Sequence, residues 1–343
     1  MAKMKKTIEL ITAGRAGIDL NTTVLNASFA DTPSFKKSIG GSPANIVQGA
    51  ARLGLKSGFI GKVSGDGMGE YILNDFQKQG IDVSGLCIDR TGAKNCLAIT
   101  EIISAKESGS YCSANKHTFH HGTYLYRKHT ADMLITPEDI QEEFVAKAQY
   151  VLLSGTAFSM EPSRSAMFQI INYAKKHDTK VVLDIDYRPF GWNDLEEASR
   201  CYQTICRQAD IIIGNREEFD VVEHTTMLGN KDNARSVAAF LEQGAAMVVV
   251  KDGANGSATY LRDGTILRCG VIPTEIVKTF GSGDAYAAGL MYGLLRKDDI
   301  LYAMQLGSAC ASLVLTQIDC APAMPTLEAA EAHRARHCQE MIR

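Results

Sequence analysis

The chain has 343 residues, a formal net charge of −3, 45% hydrophobic residues and 22% charged residues. These are ordinary globular values, and the length suits one large α/β domain with an appendage or two modest domains. The balanced charge offers no surface for nucleic acid or membrane, no run approaches the roughly 18 apolar residues that span a bilayer, and the basic opening leads into a stretch too short and polar for a secretory signal.

In chain order, strand and helix signals alternate. Strand-like apolar runs cover 7–13, 58–63, 150–154, 180–184, 211–214 and 247–251. Amphipathic helix patterns fall near 43–53, 69–79, 163–177, 195–208 and 232–243, the first opened by Ser42-Pro43, a good N-cap and N1 pair. Apolar strands without alternation, separated by helices, predict right-handed βαβ units and a doubly wound, mostly parallel sheet with helices on both faces. Two segments, 14–40 and 92–133, offer alternating strands instead, such as 96–102 and 123–129, and predict a small β-sheet lid. The main α/β domain is then 1–13, 41–91 and 134–343, interleaved with the lid. The C-terminal part reads as helices near 282–296, 301–316 and 326–341. The nine cysteines include no Cys-x-x-Cys pair, which argues against a disulfide framework and against a zinc site and suits a cytoplasmic location.

The stretch Lys278-Thr-Phe-Gly-Ser-Gly-Asp284 sets a Gly-Ser-Gly turn at the start of a helix. Backbone N–H groups there, with the helix dipole, form an anion site. Phosphoryl transfer needs such a site, and an acceptor for the proton of the attacking hydroxyl. Gly281, Ser282 and Gly283 can supply the first and Asp284 the second; a plain capped helix is the alternative. The usual nucleotide signatures are missing. Lys56 and Val63 break a P-loop around Gly61-Lys62, and no complete G-x-G-x-x-G follows a strand. A second turn, Gly40-Gly41-Ser-Pro-Ala-Asn45, lets backbone approach a ligand and points Asn45 from the first turn of a helix.

Together these two stretches resemble the two motifs of the ribokinase-like (PfkB) sugar kinase family, and the resemblance runs over nearly the whole chain. Gly14 to Asp19 is similar to its substrate-binding Gly-x-x-x-x-Asp, Asn215-Arg-Glu-Glu218 to its Asn-x-x-Glu, and Lys251-Asp-Gly253 through Gly256 to its Lys-x-Gly-x-x-Gly. The resemblance implies an ATP- and Mg²⁺-dependent kinase acting on a sugar hydroxyl. Asp284 is the implied catalytic base and Gly281, Ser282 and Gly283 the anion hole. Asp19, Gly41 and Asn45 would hold substrate hydroxyls, with Asn215, Lys251, Gly253 and Gly256 on the nucleotide side. Glu218 would act on the metal through water, and Gly307 and Ser308 fall where the family packs adenine. Many relatives carry Asp where this chain has Lys278, beside a bound monovalent cation; the lysine implies that its ammonium replaces that charge and that no K⁺ is required.

Arginine binds carboxylates bidentately, and Tyr126-Arg127 on the lid and Arg188 after a strand end point to an acidic sugar, with a surface or structural salt bridge the alternative for each arginine. With Gly-Ser-Pro-Ala-Asn45, Asp-Tyr-Arg-Pro189, Trp192 and Lys-Thr-Phe-Gly281, the resemblance is strongest to members that phosphorylate the terminal hydroxyl of a keto-deoxy sugar acid in inositol catabolism. 2-Keto-3-deoxygluconate kinases and fructokinase-type enzymes are alternatives, as are a nucleoside kinase and a non-catalytic sugar-binding regulator. A lid with open β edges predicts a homo-oligomer. The loop 104–122 carries His117, His120 and His121 beside Lys106, Glu107 and Lys116, and reads as solvent-facing rather than metal-binding.

Overall fold

The computed structural model describes residues 4–102 and 122–342; the His-x-x-His-His stretch and nearly all of its loop lie outside them. Along the chain the strands are β1 (Ile8–Ala13), β2 (Gly17–Thr22), β3 (Phe35–Gly40), β4 (Ser57–Val63), β5 (Asp82–Ile88), β6 (Leu97–Thr100) and β7 (Thr123–Tyr126). They continue with β8 (Ala148–Ser154), β9 (Lys180–Asp184), β10 (Ile211–Asn215), β11 (Met247–Lys251), β12 (Ser257–Leu261) and β13 (Ile266–Cys269). Nine form one sheet in the order β13-β12-β11-β10-β9-β8-β1-β4-β5, and four form a smaller sheet in the order β3-β2-β6-β7.

From β5 to β11 the large sheet is parallel, and its inner strands are apolar on both faces because helices cover both. Leu10, Val182, Ile213 and Val249 face the helices Ser42–Arg52, Ser282–Arg296 and Ile300–Leu315. Their neighbours Ile11, Val181, Leu183, Ile212 and Val248 face Ser163–Lys176 and Leu195–Cys206. Each fully buried aliphatic side chain contributes about 1.5–3 kcal/mol, so the alternation fixes both layers at once.

The small sheet is mixed, with β2 parallel to β6 and antiparallel to β3, and β7 antiparallel to β6. Its inner residues Ile18 and Ile39 pack on Ala44, Val47, Phe59, Ile72 and Phe76 of the main body. An ion pair at 2.5 Å between Lys36 and Asp319 adds a second tie.

Several features differ from the sequence reading. The edge strand β5 and the antiparallel hairpin β12–β13 went unread, because half-exposed edge strands lack a long apolar run. The last helix ends at Arg336, and a 3₁₀ turn, Cys338–Met341, carries the chain on. Gly307 serves helix packing rather than a ligand. A Cβ on it would stand 2.9 Å from the Tyr286 carbonyl, and one on Gly289 would stand 2.8 Å from the Gly307 Cα, so these glycines let two helices cross backbone to backbone.

Candidate active site

The carboxyl ends of the parallel strands open into a cleft of about 590 Å³, roofed by β6 and β7 through Ala98, Thr100, Thr123 and Leu125. Open α/β sheets bind ligands at this edge because the strand-to-helix turns gather there. Asp284 lies in the cleft, on the first turn of the helix Ser282–Arg296. Asn45, on the first turn of the helix Ser42–Arg52, donates from Nδ2 to Asp284 Oδ2 at 2.7 Å. The two sequence motifs, 239 residues apart, therefore meet in one hydrogen bond. Burial, and then the charge of Asp186, push the Asp284 carboxyl up to about 7, against the opposing bond from Asn45.

The helix behind Asp284 has no side-chain cap, and its N-cap, Gly281, sits at φ 85. A Cβ at Gly281 would fall 2.7 Å from Cys320 Sγ, and one at Gly283 meets only Lys251 Nζ, at 4.0 Å. Helices beginning at Gly67, Leu195, Arg216, Asn233, Ile300 and Leu327 all carry a capping side chain. The one at Ser282 instead turns its first amides, with the positive end of the dipole, toward the cleft.

Beside it, Lys251 Nζ lies 3.1 Å from Asp184 Oδ1 and 3.7 Å from Glu218 Oε2. Burial alone would depress the Lys251 ammonium; Asp184 and Glu218 hold it well above the ordinary lysine range. Burial pushes Asp184 upward, with Lys251 holding it back. Asn215 and Glu218 form a capping box, Asn215 Oδ1 accepting from the Glu218 amide at 2.9 Å and Glu218 Oε2 from the Asn215 amide at 2.8 Å. Both also line the cleft. A second, apolar groove of about 480 Å³ adjoins the first and shares Lys251, Gly253, Ser282 and Gly283 with it. Gly256 and Ser308 line this groove, the Ser308 hydroxyl donating to the Gly270 carbonyl at 2.9 Å. Gly256 needs its glycine: at φ 91, a Cβ would meet the Cys269 carbonyl at 2.1 Å.

On the far side, Asp19 and Gly41 line the cleft. Gly41, at φ 106, leaves no room for a Cβ, which would stand 2.5 Å from the Arg15 carbonyl. Burial raises the Asp19 carboxyl, and the charges of Arg15 and Lys278 draw it down. Lys278 is buried, donates to the Phe280 carbonyl at 2.7 Å and to Cys320 Sγ at 2.9 Å, and lies 4.1 Å from the centre of the Phe280 ring. It therefore stands directly beneath the Gly281 turn.

Two residues chosen from sequence do not enter the cleft. Side chains alternate along a strand, so with Thr123 and Leu125 facing inward, Tyr126 faces outward, 62% exposed. Arg127, past the strand end, donates from Nε to buried Asp132 at 2.9 Å. Arg188 does line the cleft, paired with Asp186 at 2.9 Å. Arg15, Asp184 and Asp186 were given no role from sequence. The available signal was a charged residue inside Gly14 to Asp19, and paired carboxylates just past a strand end.

Residues 8–327 match the pfkB family of carbohydrate kinases. The chain is 41% identical over 334 residues to the 5-dehydro-2-deoxygluconokinase of Bacillus velezensis, covering 97% of this chain and 96% of that one. It is 40% identical over 327 residues to the Bacillus subtilis protein of the same name, covering 95% and 96%. Among solved structures, fructokinase with bound ATP from Xylella fastidiosa superposes with a TM-score of 0.82 at 22% identity, over 98% of this chain and 100% of that one. A putative ribokinase II from E. coli in complex with ATP and Mg²⁺ gives 0.81 at 19% identity, over 96% and 100%. With a ribokinase-like fold and relatives of this likeness along nearly its whole length, the chain belongs to the pfkB family of carbohydrate kinases.

Proposed function

We propose that this chain transfers the γ-phosphoryl group of ATP to the terminal hydroxyl of 5-dehydro-2-deoxy-D-gluconate, giving the 6-phosphate, a step of myo-inositol catabolism. The observation that carries the reading is the near-full-length identity of 41% and 40% to relatives named for that kinase. The cleft supports it chemically. Asp284 accepts the proton of the terminal hydroxyl, held in place by Asn45, and its raised affinity for protons suits a base working near neutrality. The uncapped amides of Gly281, Ser282 and Gly283 stabilise charge on the transferring oxygens. Asp19, Gly41 and Asn45 take the hydroxyls along the sugar. The nucleotide's phosphates lie toward Lys251 and Asn215, and its base toward the apolar groove with Gly253, Gly256 and Ser308.

The donor set fits Mg²⁺ held mainly by phosphates and water. Among the described residues no three acidic, histidine or cysteine side chains converge as a cage, while Glu218 and Asp184 stand at the phosphate end beside Lys251. Such an ion would neutralise charge on the phosphate oxygens. Lys278 supplies the charge that a monovalent cation brings to relatives with Asp at this position, so turnover is independent of K⁺. A large activation by added K⁺ overturns that role.

Residues 14–40, 92–102 and 122–133 act as a lid that excludes water and limits ATP hydrolysis. Exposed Val24, Leu25, Phe29 and Tyr126 on or beside the small sheet suit a homo-oligomer formed through it. Among the described residues no helix is long and apolar enough to cross a membrane, in keeping with a cytoplasmic enzyme. The test is coupled-assay turnover with ATP and Mg²⁺ over 5-dehydro-2-deoxygluconate, 2-keto-3-deoxygluconate, fructose, ribose and adenosine. A clear preference for the first is expected, and a preference for a neutral acceptor overturns the substrate assignment.

A further inference from the structure

Three arginines stand at or beside the cleft, and two have their charge matched. Arg127 is paired with buried Asp132, and Arg188, 54% exposed at its side chain, is paired with Asp186. Arg15 differs. It lies in the turn between β1 and β2 and lines the cleft with Asp19 and Gly41. Its Nη1 donates to Cys96 Sγ at 3.2 Å, and its Nε is buried with no hydrogen-bond partner. A thiol is a weak acceptor, and buried N–H groups are rarely left without a partner, whether protein, water or ligand. Its neighbour Asp19 faces both Arg15 and Lys278, so this wall keeps positive charge over. Elsewhere the cleft lining carries Asp184, Asp186, Glu218 and Asp284 with Lys251 and Arg188.

We infer that Arg15 recognises the carboxylate of the sugar acid through the guanidinium edge that includes Nε, deepening the proposed kinase reading, on which it rests. The charges orient an open-chain acid: its anionic end goes to the Arg15 guanidinium and its uncharged hydroxyl end to the Asp284 carboxylate. Arg127 acts at one remove. By neutralising Asp132, which also lies within electrostatic reach of Arg15, it leaves the Arg15 charge for the substrate.

The experiment compares Arg15→Met, Arg15→Lys and Arg188→Met with wild type, using 5-dehydro-2-deoxygluconate and fructose as acceptors. Nucleotide-dependent shifts in melting temperature serve as the check on folding. A charge-assisted bond of this kind carries about 10- to 100-fold in affinity. Arg15→Met is therefore expected to raise KM for the acid by about that factor, with a smaller change in kcat and in fructose turnover, so that selectivity for the acid collapses. Arg15→Lys retains part of the selectivity because the charge remains. A wild type that prefers the acid while Arg15→Met keeps that preference overturns this inference alone, most directly if Arg188→Met removes it. A wild type that uses only neutral acceptors overturns both this inference and the proposed substrate.

Discussion

A carboxyl whose proton affinity is pushed up to about 7 by burial is a better base for a hydroxyl proton than an exposed aspartate, and it limits the working pH. Asp284 must be ionised to act, so kcat/KM, which reports the free enzyme, should fall as pH drops through about 7; a kcat/KM–pH profile flat from 5 to 8 would remove it from that role. Replacing it with Asn is expected to lower kcat by about 10²–10⁴-fold while ATP still binds, which turnover and nucleotide titration measure separately. The same group sets a stability signature. Its folded pKa lies above the ordinary aspartate value, so it favours folding below about pH 4, and that contribution is lost as pH rises through about 7. Relative to wild type, Asp284→Asn should therefore gain in melting temperature as pH increases from 4 to 8. Asp284 was legible in sequence because its turn, its helix and its carboxylate are contiguous. The pairing of Lys251 with Asp184, 67 residues apart, was not, since only the sheet brings the ends of β9 and β11, on either side of β10, within reach. Arg127 was misplaced for a local reason: the strand's alternation and a nearby Asp132 decide where it goes, and neither depends on its being an arginine.

Among the elements, the crossing of Ser282–Arg296 over Ile300–Leu315 sets how firmly the catalytic helix is held. Glycine inside a helix normally costs about 1 kcal/mol relative to alanine, so Gly293→Ala should stabilise on propensity alone. A Cβ there would lie 2.4 Å from both Cα and Cβ of Ala303, which forces the helices apart. Overpacking of that kind costs about 1–3 kcal/mol, and we expect it to win, lowering the urea midpoint. Strands were read best where helices bury both faces: β9 and β11 matched their expected bounds, because continuous apolar runs have sharp polar ends. The hairpin β12–β13, with Ile266 half exposed and charged residues within and beside it, carries too little burial to announce itself.

At the scale of the whole molecule, the small sheet is assembled from two segments separated by the β4–β5 region, through the parallel pairing of β2 with β6. Alternation marked both segments as strands, but the pairing follows from three-dimensional closure and not from either segment. If this sheet also joins subunits, light scattering should give a mass above that of one 37.2 kDa chain, and Tyr126→Asp should shift it toward that of one chain; a wild-type monomer would exclude the assembly. The two helices that start without a capping side chain at the cleft, Ser42–Arg52 and Ser282–Arg296, are the ones whose first turns meet there through Asn45 and Asp284. At the cleft these two helix starts leave first-turn backbone amides that oxygen atoms of a ligand can complete. Substrate recognition is in that sense the last step of folding. Heat tolerance then becomes a reporter of metabolite level: ligand at a hundredfold excess over its Kd adds about 2.7 kcal/mol to the stability of the folded chain, and a cell short of substrate holds a softer enzyme.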